Sequence, residues 1–178
     1  LKLFVVSPPD AQPADRRPAL VLFHGGGWTG GAPTQFNTQA AYLASRGLVC
    51  VQVEYRLLDK ADKAPPVICV QDAQSAMRWV RSHAAALGID PARIGAGGGS
   101  AGGHLAAATA TLPGLDEPGE DTRVSAVPDA AVLFNDATVR SVPVARTLEG
   151  RRLAQVPRRS ATFSAAWRAP SGLMISGR

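Results

Sequence analysis

Gly98-Gly99-Ser100-Ala101-Gly102 follows a run of small residues, Arg93-Ile94-Gly95-Ala96-Gly97, and precedes Gly103-His104-Leu105-Ala106-Ala107-Ala108, which is rich in good helix formers. A serine flanked two residues either side by glycine, between a short strand and a helix, is the pattern of a turn that lifts a nucleophile out of a sheet. The chain must reverse from strand to helix within about two residues, which strains the serine backbone and brings the flanking positions together. A Cβ at Gly98 or Gly102 would clash there. Ser100 is therefore the candidate nucleophile.

Two blander readings share these letters. Gly97-Gly98-Gly99-Ser100-Ala101-Gly102 is also a G-x-G-x-x-G, but a dinucleotide site needs a second strand after the helix and an acidic residue near its end. The chain instead continues as Leu112-Pro113-Gly114-Leu115-Asp116-Glu117-Pro118-Gly119-Glu120-Asp121, a polar loop with two prolines. A purely structural glycine turn is the other alternative. The stretch upstream decides between them. Leu20-Val21-Leu22-Phe23 is strand-like and runs straight into His24-Gly25-Gly26-Gly27-Trp28, a loop of the kind that supplies oxyanion-hole donors. Glycines let backbone N–H groups turn toward a ligand oxygen, where they stabilise charge developing on an ester carbonyl. Gly26 and Gly27 are the candidate donors, joined by the N–H of Ala101. Gly25 shapes the loop, His24 orients it, and Trp28 beside it is expected to wall one side of a pocket.

These two motifs, together with Glu54-Tyr55-Arg56-Leu57 and Gly103-His104-Leu105, make residues 1 to 135 resemble the hormone-sensitive-lipase-like branch of the α/β-hydrolases, which includes bacterial acetyl esterases and other carboxylesterases. The resemblance implies a doubly wound, mostly parallel α/β sheet with the nucleophile at the end of its central strand. It also implies a catalytic acid and then a histidine, both downstream of the serine.

The 178 residues suit one domain, and 46% hydrophobic content is ordinary for a globular core. Two cysteines, Cys50 and Cys69, are too few for a disulfide framework and sit in apolar runs, as buried inert thiols do. No signal segment and no apolar run of about 18 residues is visible, so neither secretion nor membrane insertion is indicated and a cytoplasmic location is favoured. No metal or organic cofactor is implied, since acyl transfer through serine needs neither.

Strands are expected at Leu1 to Val6, Leu20 to Phe23, Leu48 to Val53 and Ala130 to Phe134. Helical composition spans Gln35 to Arg46, with Phe36, Ala40 and Leu43 on one face and Gly47 as its stop. From Val67 to Leu87 the spacing of Val70, Ala73, Met77, Val80 and Ala84 marks a buried helix face ending at Gly88. Asp72 reads as a first-turn acid favoured by the helix dipole. Trp79 and His83 read as core packing and solvated face, and Asp90-Pro91 as a turn.

Beyond residue 139 the chain changes character. Residues 1–139 form the hydrolase-like core, whereas 140–178 carry eight arginines against one acid, Glu149, and are interrupted by Pro143, Pro157 and Pro170. No helical stripe, aromatic platform or zinc spacing accompanies these arginines, which argues against nucleic-acid binding. The composition, without an alternating strand, resembles a GC-rich gene read out of frame. A sheet incomplete at its C-terminal end is therefore expected, and with it an exposed edge that drives association into a dimer or larger assembly. The only histidines are His24, His83 and His104. His104 lies one turn along the helix that the serine opens, where its ring should pack along that helix instead of reaching Oγ. Asp116, Glu117, Glu120, Asp121, Asp129, Asp136 and Glu149 follow the serine, and none can be assigned as a triad acid without a histidine to orient. The sequence thus points to a serine carboxylic-ester hydrolase acting on small short-acyl esters, with a catalytically incomplete hydrolase-fold binding protein as the alternative.

Overall fold

A computed structural model of the chain describes residues 1–61 and 64–134, together with the backbone of two strands at 163–168 and 172–177. Among the described residues the elements run in the order β1 (Lys2–Val6), β2 (Arg17–Phe23), α1 (Asn37–Ser45), β3 (Val49–Glu54), α2 (Val67–Ser82), β4 (Ile89–Gly99), α3 (Ala101–Thr111), β5 (Ala130–Phe134), β6 (Phe163–Arg168) and β7 (Gly172–Gly177). The first five strands form one sheet in the order β1-β3-β2-β4-β5. β1 runs antiparallel to β3, and every other neighbouring pair is parallel. This is the mostly parallel α/β sheet that alternating strands and helices require. Among the described strands the nucleophile strand β4 is interior, lying fourth of five between β2 and β5.

Side-chain alternation along β2 sorts the core into two layers. Ala19, Val21 and Phe23 join the larger cluster with α2 and α3, including Met77, Val80, Leu105 and Ala106. Leu20 and Leu22 point to the other face, against Phe36, Ala40 and Cys50. Both faces of the middle of the sheet are covered, which is why β2 and β3 read as continuous apolar runs.

Several boundaries differ from the sequence reading for identifiable reasons. The first helix begins as a 3₁₀ turn at Pro33–Phe36, because proline tolerates the start of a helix but not its interior. α2 stops at Ser82, five residues before Leu87. Ala84 is nevertheless buried, so the apolar spacing outlasts the helix. Asp90-Pro91 does not separate two elements. It forms a bulge within β4, where Arg17 pairs with Ile89 but Ala19 pairs with Ile94. Asp90 closes that bulge by accepting from Ala92 N at 3.1 Å and Arg93 Nε at 3.1 Å.

The stretch 140–178 lies outside the described residues apart from β6 and β7. These correct the expectation that the stretch has no strand, since they pair antiparallel from Phe163↔Gly177 to Arg168↔Gly172. Asp136 and Glu149 also lie outside the described residues. Among the described residues no helix is long and apolar enough to cross a membrane.

Candidate active site

β4 delivers the chain to Ser100 and α3 starts at the next residue, so the serine sits at a strand-to-helix junction. Its backbone is at φ 52°, ψ −119°, a strained conformation for a residue with a side chain. The strain is enforced by close approach. A Cβ at Gly98 would lie 2.4 Å from Gly102 O, and one at Gly102 would lie 1.9 Å from Phe23 O. The turn is further fixed by Ser100 N donating to Phe134 O at 3.2 Å and His104 N donating to Ser100 O at 3.1 Å.

The loop after β2 packs directly against this turn: a Cβ at Gly25 would stand 3.4 Å from Ser100 Cβ. Gly26 and Gly27 have φ of 126° and 61°, and Trp28 follows at 62°. Gly26 and Gly27 are exposed, and no hydrogen bond among the described residues occupies either N–H. Gly25 is different, since its N–H donates to Gln35 Oε1 at 2.7 Å. Ala101, the first residue of α3, keeps its N–H outside the helix ladder. Among the described residues the N–H groups of Gly26, Gly27 and Ala101 are thus left without an acceptor, and Ser100 is half-buried.

His24 is buried, its Nδ1–H donates to Gly25 O at 2.9 Å, and its ring stacks on Tyr55 with centroids 4.3 Å apart. Burial pushes its pKa below the ordinary value, so it is neutral near pH 7. Tyr55 Oη–H donates to His24 O at 2.7 Å, and burial raises the phenol's pKa, which keeps that donor protonated. At the other end of the loop Leu58 N donates to Trp28 O at 2.8 Å. The indole of Trp28 meets the His104 ring at 86° with centroids 5.3 Å apart and packs against the larger core cluster. Trp28 Nε1 and His104 Nδ1 are buried without a hydrogen-bond partner among the described residues. Desolvation lowers the His104 pKa as well.

No histidine reaches the nucleophile. Trp79 is 38% exposed, not the core residue its apolar ring suggests, and exposed His83 stacks on it at 4.2 Å and donates from Nδ1 to Trp79 O at 2.8 Å. Ser100 Oγ makes no hydrogen bond among the described residues. The described acids after the serine face arginines instead: Asp116 and Glu120 pair with Arg78, Glu117 with Arg56, Asp121 with Arg123 and Asp129 with Arg81. Asp72 is not in the first turn of α2. It is buried and accepts from Arg56 N at 2.6 Å and Arg56 Nε at 2.9 Å, so a side-chain partner and not the helix dipole accounts for it. Among the described residues no group of three His, Cys, Asp or Glu could hold a metal ion.

Gln35 and Tyr55 are site residues that the sequence alone does not single out. Gln35 carries no signal at all; Tyr55 lies in the Glu54-Tyr55-Arg56-Leu57 motif, which marks the resemblance without revealing what it touches.

A serine at a strained junction after a parallel strand, faced by a glycine loop, defines an α/β-hydrolase fold. Residues 5–135 match the BD-FAE family, and the chain belongs to it. The esterase LipQ of Mycobacterium tuberculosis is 35% identical over 130 residues, 71% of this chain and 30% of that protein. Carboxylesterase NlhH of the same species is 40% identical over 99 residues, 55% of this chain and 30% of that protein. Among solved structures, Thermogutta terrifontis esterase 2 phosphonylated by cyclosarin is 46% identical with a TM-score of 0.74, covering 87% of this chain and 56% of that one. The propionate-bound form of that esterase is 48% identical with a TM-score of 0.73, covering 84% and 53%. The chain thus spans about a third of the length of the curated relatives it matches.

Proposed function

We propose that the chain carries the nucleophile and oxyanion hole of a serine carboxylic-ester hydrolase for small short-acyl esters. The observation that carries this reading is Ser100 at φ 52°, with Gly25, the first glycine of the loop, packed against its Cβ. Ser100 Oγ adds to the ester carbonyl carbon, and the carbonyl oxygen, now negative, accepts from the N–H groups of Gly26, Gly27 and Ala101. The C–O bond to the alcohol then breaks, the alkoxide taking up a proton, and the acyl group stays on Oγ until water repeats the attack and releases the acid. His24 and Gly25 hold the loop, while Gly98 and Gly102 allow the turn. The phosphonylated and propionate-bound forms of the Thermogutta esterase support both the covalent route and a short acyl group.

The hydroxyl proton needs an acceptor, and none of the three histidines is bonded to Oγ. Turnover by this chain is therefore expected about a millionfold below that of a complete triad, leaving roughly 10³ to 10⁴-fold over water from binding and the oxyanion hole. The test is labelling with a fluorophosphonate. Slow covalent modification confined to Ser100 and lost in Ser100→Ala supports the esterase reading. A folded chain that takes up no label supports the alternative, a hydrolase-fold protein that binds a ligand or partner without turnover.

A further inference from the structure

The oxyanion loop has little internal support. Gly26, Gly27, Trp28 and Gly31 all lie at positive φ, and one backbone hydrogen bond closes the turn, Thr29 N to Gly26 O at 3.2 Å. Backbone of this kind keeps one conformation only when its surroundings over-determine it. Beside the Gly25 N–H bond to Gln35 Oε1 at 2.7 Å and the edge contact of Trp28 with His104, the constraint at both ends of the loop comes from residues 54–58. Tyr55 grips the His24 end through its hydroxyl and its stacked ring, and Leu58 N grips the Trp28 end.

That segment in turn leaves the sheet after Glu54 and has no ladder of its own beyond it. What holds it is Asp72 of α2. Its two carboxylate oxygens accept two hydrogen bonds from one residue, from Arg56 N at 2.6 Å and Nε at 2.9 Å, and Arg56 Nη2 completes the ion pair at 2.7 Å. Cys69 Sγ adds a weaker bond to Arg56 O at 3.2 Å, and Glu117 accepts from Arg56 Nη2 at 2.7 Å. The Asp72 side chain is 7% exposed, so its acceptors have little water to fall back on.

We propose that residues 54–58 are a strap that sets the position of the oxyanion loop, and that Asp72 and Arg56 are positioning residues that tether the strap to α2. Neither residue touches the nucleophile; each acts through Tyr55 and Leu58. A carboxylate is required at position 72 because all three facing groups are N–H donors, and an asparagine amide would turn its own N–H toward one of them. The meaning of the strap for catalysis rests on the esterase reading. Its mechanical part does not, and the experiment separates the two.

Amide hydrogen exchange by mass spectrometry, on wild type, Asp72→Asn, Arg56→Gln and Tyr55→Phe, reads the loop directly. Exchange in a peptide covering residues 24–30 should rise at least tenfold in Asp72→Asn and less in the other two, while peptides from α1 and β4 stay as in wild type. In parallel, the rate constant of fluorophosphonate labelling at Ser100 should fall in the variants with the half-saturating reagent concentration little changed. Unchanged exchange at 24–30 in the folded variants overturns the proposal. So does an equal rise in every peptide, which marks general destabilisation. If Asp72→Asn does not fold, Arg56→Gln decides, since Arg56 is largely at the surface. A folded wild-type chain that takes up no fluorophosphonate label would sink the esterase reading, while the exchange data would still decide the strap.

Discussion

Gly102 shows how a single atom can forbid a substitution. An added Cβ would meet Phe23 O at 1.9 Å and His24 O at 2.7 Å, all backbone, so no side chain can move aside. Gly102→Ala should cost roughly 3 kcal/mol or more, whereas Gly119→Ala, at φ 88° with nothing within 4 Å, should cost only about 1 kcal/mol. Urea midpoints of the two variants measure the difference, and equal losses would contradict the steric account. The cysteines give a second test. Burial raises both thiols to about 11, and Cys50 and Cys69 belong to opposite core layers. Iodoacetamide at pH 8 should therefore leave both unmodified in the folded chain and alkylate both in urea. The strand-to-helix turn at Ser100, the glycine loop beside it and the burial of both cysteines were legible because each follows from local spacing or apolar surroundings. Tyr55 and Asp72 were not, since their partners His24 and Arg56 lie 31 and 16 residues away. The buried histidines also set a pH dependence. His24 and His104 have folded values below the ordinary 6.5, so at lower pH the unfolded chain binds protons that the folded chain refuses. Stability should be level above about pH 7 and fall as pH drops below 6.5, by at most ~1.4 kcal/mol per pH unit for each histidine. A urea midpoint that stays constant from pH 7 to 5 would contradict this.

Among the elements, the seam between β4 and β5 depends on one side chain. Asp129 sits just before β5, its N–H donates to Ile94 O at 2.9 Å, and its Oδ2 accepts from Ile94 N at 2.9 Å and Arg81 Nη2 at 3.3 Å. It thereby joins the start of β5 to β4 and to α2. Asp129→Ala should destabilise by about 1–3 kcal/mol, because the Ile94 N–H loses its acceptor on a part-buried strand. Asp129→Asn should lose less, its amide oxygen still accepting from Ile94. Equal midpoints for both variants and the wild type would show that the seam closes without this contact. The strands could be read because β-branched and apolar runs mark a doubly covered sheet, and α2 could be read because Val70, Ala73, Met77 and Val80 keep helical spacing. The end of α2 could not. Ala84 is buried by the turns that follow the helix, and burial alone does not distinguish a helix from the irregular chain after it. The Asp90 bulge was equally hidden, since a turn that interrupts a strand and a turn that ends one have the same local composition.

At the scale of the whole molecule, the outer edge of β5 is the feature from which association in solution is expected. Among the described residues no strand pairs with β5 on that side, and Val132, Leu133 and Phe134 are 41%, 41% and 40% exposed. A parallel sheet is normally covered on both faces, and a free apolar edge offers unpaired N–H and C=O groups to another chain. We propose that a second copy of this chain occupies the edge. Two β5 strands related by a twofold axis must run antiparallel, which would join two five-stranded sheets into one and bury the three apolar side chains on both copies. Such an interface lies close to the site, because Phe134 O accepts from Ser100 N at 3.2 Å and the Phe134 ring lies 5.8 Å from that of Phe36. Light scattering coupled to gel filtration should report a dimer or larger species at micromolar concentration. Leu133→Lys should shift it toward monomer, because a charge on an edge strand disfavours pairing. If the wild-type chain is instead a stable monomer that binds little apolar dye, the edge is covered from within the same chain, and β5 is an interior strand of a larger sheet.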